Sequence, residues 1–208
     1  KVRMKLDEII NERSKLSVME KHNILATNRI LFCGPPGCGK TLTAKALANE
    51  LKLPMAYVRL DGLISSLLGE TSVNLRKIFA SVQGKKIILF LDEFDAIAKK
   101  RDDNQELGEL KRVVTSLLQN FDTLSSSVIL IAATNHPQLL DSAIWRRFNT
   151  IITIELPEVK QRVELLQFYM RKYYIKGNLD IPLLSKITEG MSCSQLEEFI
   201  VQIGKYQI

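Results

Sequence analysis

An α/β fold, with a parallel five-stranded sheet covered by helices and a small all-α domain after it, is predicted by three observations. Five short apolar runs recur along the first three quarters of the chain, helical patterns separate them, and past Pro157 only helical patterns remain. The runs are Ile-Leu-Phe-Cys at 30–33, Met-Ala-Tyr-Val at 55–58, Ile-Ile-Leu-Phe-Leu at 87–91, Val-Ile-Leu-Ile-Ala at 128–132 and Ile-Ile-Thr-Ile at 151–154. Runs that are apolar throughout, rather than alternating, suit strands buried on both faces.

In order, the first 28 residues carry Leu6, Ile9, Ile10 and Arg13 at helical spacing and read as a helical or linker segment packed on the sheet. A helix is expected over 40–51. Leu75, Ile78, Phe79 and Val82 form one helix face, and Leu107, Leu110, Val113, Val114, Leu117 and Leu118 form another. Strand and helix alternate, which implies right-handed crossovers between parallel strands. Residues 162–172, 181–188 and 192–203 read as helices, the last with an apolar stripe of Leu196, Phe199, Ile200 and Ile203. The expected division is an α/β domain over 1–157 and a helical domain over 158–208, the latter cut short because the chain stops at Ile208 inside or just past a helix.

The 208 residues are 46% hydrophobic and 25% charged, average for a globular protein and unlike disordered, collagenous or coiled-coil chains. No apolar run approaches the roughly 20 residues of a membrane-spanning helix. Charges at Lys1, Arg3, Lys5, Asp7 and Glu8 stand where a signal peptide has its apolar region, so a cytoplasmic location is expected. Cys33, Cys38 and Cys193 are odd in number, not spaced like zinc ligands, and read as reduced thiols. The net charge of +6, from 29 basic and 23 acidic residues, fits a nucleic-acid partner, an anionic ligand, an acidic neighbour or a merely solvated surface.

Gly34-Pro-Pro-Gly-Cys-Gly-Lys40-Thr41 matches G-x-x-x-x-G-K-S/T between an expected strand and an expected helix. Glycines let the backbone close around a phosphate, and the helix start aims unpaired N–H groups at it. Pro36, Gly37, Cys38, Gly39, Lys40, Thr41 and Leu42 are the candidate phosphate-binding residues. Lys40 would reach the β- and γ-phosphates, and the Thr41 hydroxyl would meet Mg²⁺. The run at 87–91 ends in Asp92 and Glu93. At the carboxyl edge of a sheet, Asp92 can share the Mg²⁺ shell with Thr41. Glu93 can orient or deprotonate a water for attack on the γ-phosphate. An apolar strand ending in two carboxylates is weak alone; after a phosphate loop it points to nucleotide hydrolysis.

These segments resemble the AAA family of ATPases, within the AAA+ class of phosphate-loop NTPases. Its phosphate loop is matched at 34–41, its second acidic motif by Leu91-Asp-Glu-Phe-Asp95, and its second region of homology by Ala132-Ala-Thr-Asn135-His-Pro and Leu140-Asp-Ser-Ala-Ile-Trp-Arg146-Arg147-Phe148. Pro157-Glu-Val-Lys-Gln-Arg162 and Gly190-Met-Ser-Cys-Ser-Gln-Leu196 are similar to its lid motifs. The resemblance implies ATP and Mg²⁺ as ligands and a homo-oligomeric ring, a hexamer. It makes Asn135 the sensor that bonds the attacking water or the γ-phosphate. It makes Arg146 and Arg147 fingers that reach the nucleotide of the next subunit. Without it, Asn135 would be a strand terminator and the arginines a solvated basic pair.

Three positions depart from the family pattern. Leu67 stands where a pore-lining aromatic is common, so Leu67-Leu-Gly69 reads equally as a pore loop or a buried helix end. Tyr169 stands where a His near adenine is common, and Ser194 where other branches carry a sensor arginine. An adenine-contacting strand or turn is expected before residue 29. The implied work is remodelling or unfolding of a macromolecule, most of all a protein. The alternative is a nucleic-acid-associated loader or initiator that uses ATP as an assembly switch, which the positive charge favours slightly and the 132–148 region opposes.

Overall fold

The computed structural model describes residues 1–65, 68–99, 107–177 and 179–206. All five expected strands form: β1 (Arg29–Cys33), β2 (Met55–Arg59), β3 (Ile87–Asp92), β4 (Val128–Thr134) and β5 (Thr150–Thr153). They make one parallel sheet in the order β2-β3-β4-β1-β5. Its register sets Arg59 beside Asp92, Leu91 beside Ala132 and Cys33 beside Thr134, so the carboxyl ends of the four strands β1 to β4 come out along one edge.

The helices before β1 are α1 (Val2–Ser14) and α2 (Leu16–Lys21), and those between the strands are α3 (Lys40–Glu50), α4 (Leu60–Ser65), α5 (Leu68–Val82), α6 (Ala96–Lys99), α7 (Leu107–Asp122) and α8 (Ser142–Trp145). After β5 come α9 (Val159–Lys172), α10 (Ile181–Ile187) and α11 (Cys193–Lys205). By their contacts the residues fall into two compact units, Lys1–Cys33 with Thr41–Thr153, and Gly34–Lys40 with Ile154–Ile208.

In the first unit β1, β3 and β4 are buried on both faces, as continuous apolar runs require. One face carries Leu31, Leu89, Leu91, Leu130 and Ala132 against Leu75, Phe79, Val113, Val114 and Leu117 of α5 and α7. Ile30, Phe32, Ile88, Phe90, Ile129 and Ile131 are equally buried on the other. Full burial of each such side chain is worth about 1.5–3 kcal/mol. Phe94, just past β3, packs on Phe121 and edge-on against Phe148, with centroids 6.1 and 5.8 Å away. The backbone leaving the carboxyl edge of β3 is thereby anchored in the core.

The strand at 55–58 differs from expectation. β2 is an edge strand, and it leaves Tyr57 and Arg59 exposed. With no strand paired beyond it among the described residues, its outer side stays within reach of water. The N-terminal helix packs as expected. Ile9 is buried, Lys5 Nζ donates to the Ile151 carbonyl (2.6 Å), Arg13 Nη1 to that of Ser126 (2.8 Å), and Glu12 accepts the Thr27 N–H (2.8 Å). The side chains of Leu107 and Leu110 lie outside the described residues.

In the second unit Leu166, Tyr169, Leu196 and Ile200 form the core, with Phe199 and Ile203 against it. Capping boxes start α9 (Glu158 with Gln161) and α11 (Ser192 with Gln195), satisfying orphan N–H groups at both helix starts. Arg162 is buried and sends Nε to the Ser185 carbonyl (2.9 Å) and Nη1 to that of Pro157 (2.8 Å), tying α9 to α10. No helix among the described residues is long and apolar enough to cross a membrane.

Candidate functional site

The loop 34–40 is built around glycines in backbone regions other residues rarely occupy: Gly34 at φ +145°, Gly37 at +75° and Gly39 at +94°. A Cβ built on Gly39 would meet nothing within 4 Å, so the backbone there is open to close approach by an anion. The buried Lys40 curls its ammonium onto the loop, donating to the carbonyls of Gly34 (2.7 Å) and Pro35 (2.9 Å). Lys40 is also the first residue of α3, whose early N–H groups have no partner within the helix. Pro36, expected among the phosphate binders, has no N–H to donate to an anion. Leu42 projects outward, 71% exposed, leaving only its backbone for such a role.

Ser194 is a residue that sequence reasoning left without a role. Its N–H and its hydroxyl both donate to the Gly37 carbonyl, at 3.1 and 3.3 Å. Burial pushes the Cys38 thiol up, against the opposing pull of Lys40. Tyr169 sits in the helical core, edge-on to Phe168.

In the first unit, the structure brings Thr41 and Asp92 together across 51 residues of sequence: Thr41 Oγ1 donates to Asp92 Oδ2 at 3.1 Å. The same oxygen accepts the Tyr57 hydroxyl at 2.9 Å, while Asp92 Oδ1 accepts the Glu93 N–H at 2.9 Å. Glu93 turns the chain at φ +54°, a left-handed conformation unusual for a side chain of its size. Such strain is held where the surroundings fix it, here by its own N–H on Asp92 and by the Phe94 N–H on the Ala133 carbonyl (2.8 Å). Arg59, at the end of β2, forks onto Asp61 (2.7 Å) and reaches Glu93 (3.4 Å). Burial, and then the nearby Asp61 carboxylate, raise the Glu93 carboxyl above its ordinary value. The Arg59 guanidinium lowers Asp61. Burial, then the bond to Asp92, push the Tyr57 hydroxyl up to about 12.

Asn135 follows directly on β4. Its N–H and the Thr134 hydroxyl donate to one oxygen of the buried Asp95, at 3.1 and 3.2 Å. Asp95 thus ties the turn after β3 to the end of β4. It ends the acidic motif Leu91-Asp-Glu-Phe-Asp95, where spacing alone does not set it apart from a solvated turn residue.

The two arginines behave differently. Arg147 grips Asp122 at the end of α7 through Nε (3.3 Å) and Nη2 (3.1 Å) and caps the Ala143 carbonyl through Nη1 (3.3 Å). Arg146 is exposed. A partly exposed pair of this kind contributes about 0.2–1 kcal/mol. Arg147→Ala is therefore expected to lower the thermal midpoint by only about 1–3 °C, measured by scanning calorimetry; a larger drop would mean the pair anchors the core. Leu67 lies outside the described residues, and Gly69 falls within α5.

The sequence pattern of the ATPase family associated with various cellular activities (AAA) matches residues 30–156. An uncharacterized AAA family ATPase, y4kL, of Sinorhizobium fredii is 41% identical over 200 residues, which cover 96% of this chain and 60% of that protein. The proteasome-activating nucleotidase of Thermococcus onnurineus is 36% identical over 198 residues, which cover 92% of this chain and 50% of that protein. The chain therefore spans between half and three fifths of the length of these curated relatives.

Proposed function

Because this chain belongs to the AAA family of ATPases, we propose that it is the Mg²⁺-dependent ATP-hydrolysing module of a cytoplasmic homo-oligomeric ring, a hexamer, that remodels or unfolds a protein substrate. The observation that carries the reading is the Thr41–Asp92 hydrogen bond of 3.1 Å, which joins the end of the phosphate motif to the end of the acidic motif. Its two hard oxygen donors suit Mg²⁺, which takes few protein ligands and keeps water and phosphate in its shell. A hydroxyl that donates its proton to a carboxylate still has lone pairs for a cation.

Backbone N–H groups from Gly37 onward and the Lys40 ammonium bind the phosphates, and Thr41 and Asp92 hold the metal. Mg²⁺, when bound, supplies positive charge against that developing on the phosphates. Glu93 takes the proton of the attacking water, and Asn135 orients that water. Arg146 and Arg147 stabilise transition-state charge at the neighbouring subunit's nucleotide, where a permanently protonated planar fork is best suited. The likeness to a protein named for activating a proteasome supports a protein as substrate.

ATP turnover per subunit, followed against protein concentration in the full-length protein, tests this. The expected rate rises with concentration, is abolished by EDTA, and is stimulated by unfolded protein but not by DNA. A concentration-independent rate would remove the shared site. Stimulation by DNA that fades steeply with salt would select the loader instead. Mixing Arg147→Ala with Lys40→Ala subunits is expected to restore turnover that neither variant shows alone, because each supplies what its neighbour lacks. Absence of any restoration in all ratios would place the arginine's work within its own chain.

A further inference from the structure

We infer that Tyr57 is a positioning residue for Asp92, holding the carboxylate that orients the Thr41 hydroxyl toward the metal; this rests on the Mg²⁺–ATP reading above. The torsion that sets a carboxylate plane is soft and broad, so a metal-facing Asp needs outside donors to fix it. Asp92 has them on both oxygens. Oδ1 accepts the Glu93 N–H at 2.9 Å, and Oδ2 accepts two hydroxyls, Thr41 at 3.1 Å and Tyr57 at 2.9 Å.

Of these donors, Tyr57 is the one that belongs to neither the phosphate motif at 34–41 nor the acidic motif at 91–95. Its ring is fixed from the side, stacked on Phe90 with centroids 5.7 Å apart and planes 25° apart. Phe90 is fully buried and is the register partner of Tyr57 across β2 and β3. Phe90 is also two residues before Asp92, so both lie on the same side of β3. The stack therefore sets the height of the hydroxyl relative to the carboxylate.

This edge strand keeps a large aromatic ring nearly half exposed, at 47%, where burial gives little reward. The hydroxyl contact is what the position offers. The chain Tyr57 to Asp92 to Thr41 then acts on the cation through Asp92 and Thr41 together.

Tyr57→Phe keeps the ring and its stack and removes only the hydroxyl. In the full-length protein, ATP affinity is titrated in EDTA and then with rising Mn²⁺, with free Mn²⁺ counted by electron paramagnetic resonance. Losing one hydrogen bond to a charged group is expected to raise the Mn²⁺ midpoint about fivefold, with ATP affinity in EDTA within about twofold of the parent and an unchanged melting temperature. An unchanged or lowered midpoint overturns the inference, because the hydroxyl would then be idle or a competitor of the cation. An equal loss of affinity in EDTA overturns it too, placing the effect on the phosphate loop or the fold. A parent protein whose ATP affinity ignores Mn²⁺ altogether overturns the Mg²⁺–ATP reading itself, an outcome visible before any variant is made.

Discussion

Glu93→Gln is expected to bind ATP with an affinity within about twofold of the parent and to hydrolyse it about a thousandfold more slowly, the range that removal of a general base commands. The amide has the shape of the carboxylate. The backbone N–H that Glu93 gives to Asp92 is untouched, so the Asp92 carboxylate keeps that donor. What is lost is the capacity to take a proton, together with the 3.4 Å ion pair to Arg59. Folding should not suffer. The Glu93 carboxyl is raised, first by burial and then by Asp61, so its charged form is disfavoured in the folded state. A raised acid removes stability as pH climbs from its unfolded toward its folded value, and above that window the penalty is complete. The neutral amide escapes it, and the unfolding midpoint at neutral pH is expected to equal or exceed the parent's. Single-turnover hydrolysis and a nucleotide titration separate the two effects. Undiminished turnover would strip Glu93 of its role, and lost binding would make it part of the nucleotide cradle.

How much of this site was legible depends on whether the information was local. The strands were visible because burial on both faces leaves no polar position, as in β3 and β4. The phosphate loop was visible because its glycines, lysine and threonine are consecutive, and the pair Asp92 and Glu93 because they end an apolar run. Tyr57 was read only as strand filling. Its hydroxyl meets Asp92 through the β2–β3 register, which no spacing in one strand encodes. Arg59 and Asp61 were missed for the same reason, although they set the charge around Glu93. The full burial expected of 55–58 failed because an apolar run does not say whether its strand is central or at an edge. Helices as short as α2 and α4 span too few residues for a period of 3.6 to declare itself. Ser194 was singled out only for what it lacked, whereas its contact with Gly37 spans 157 residues.

Two glycines of one loop should respond to the same substitution in opposite ways, and the contrast separates folding from binding. Gly34→Ala would place its methyl 1.9 Å from the Ile154 carbonyl oxygen and 2.9 Å from the carbonyl carbon. Both are backbone atoms that no rotamer change can move, and the φ of +145° is strained for any side chain. Strain and overlap together should cost about 3–5 kcal/mol, a large share of the 5–15 kcal/mol typical of a native protein. Gly39→Ala meets nothing within 4 Å, and carries only the strain of φ +94°, about 1–2 kcal/mol. That variant should fold. Its methyl, however, occupies the open space beside the backbone N–H groups that a phosphate must approach, so nucleotide affinity should fall by at least about tenfold. Urea unfolding read beside a nucleotide titration distinguishes the two. A Gly34→Ala protein as stable as its parent would mean the carbonyl of Ile154 does not stand against the loop. A Gly39→Ala protein that binds nucleotide normally would mean the phosphates lie elsewhere along it. If both expectations hold, the glycines at the two ends of one motif are required for unlike reasons, the first by the protein's own backbone and the last by its ligand.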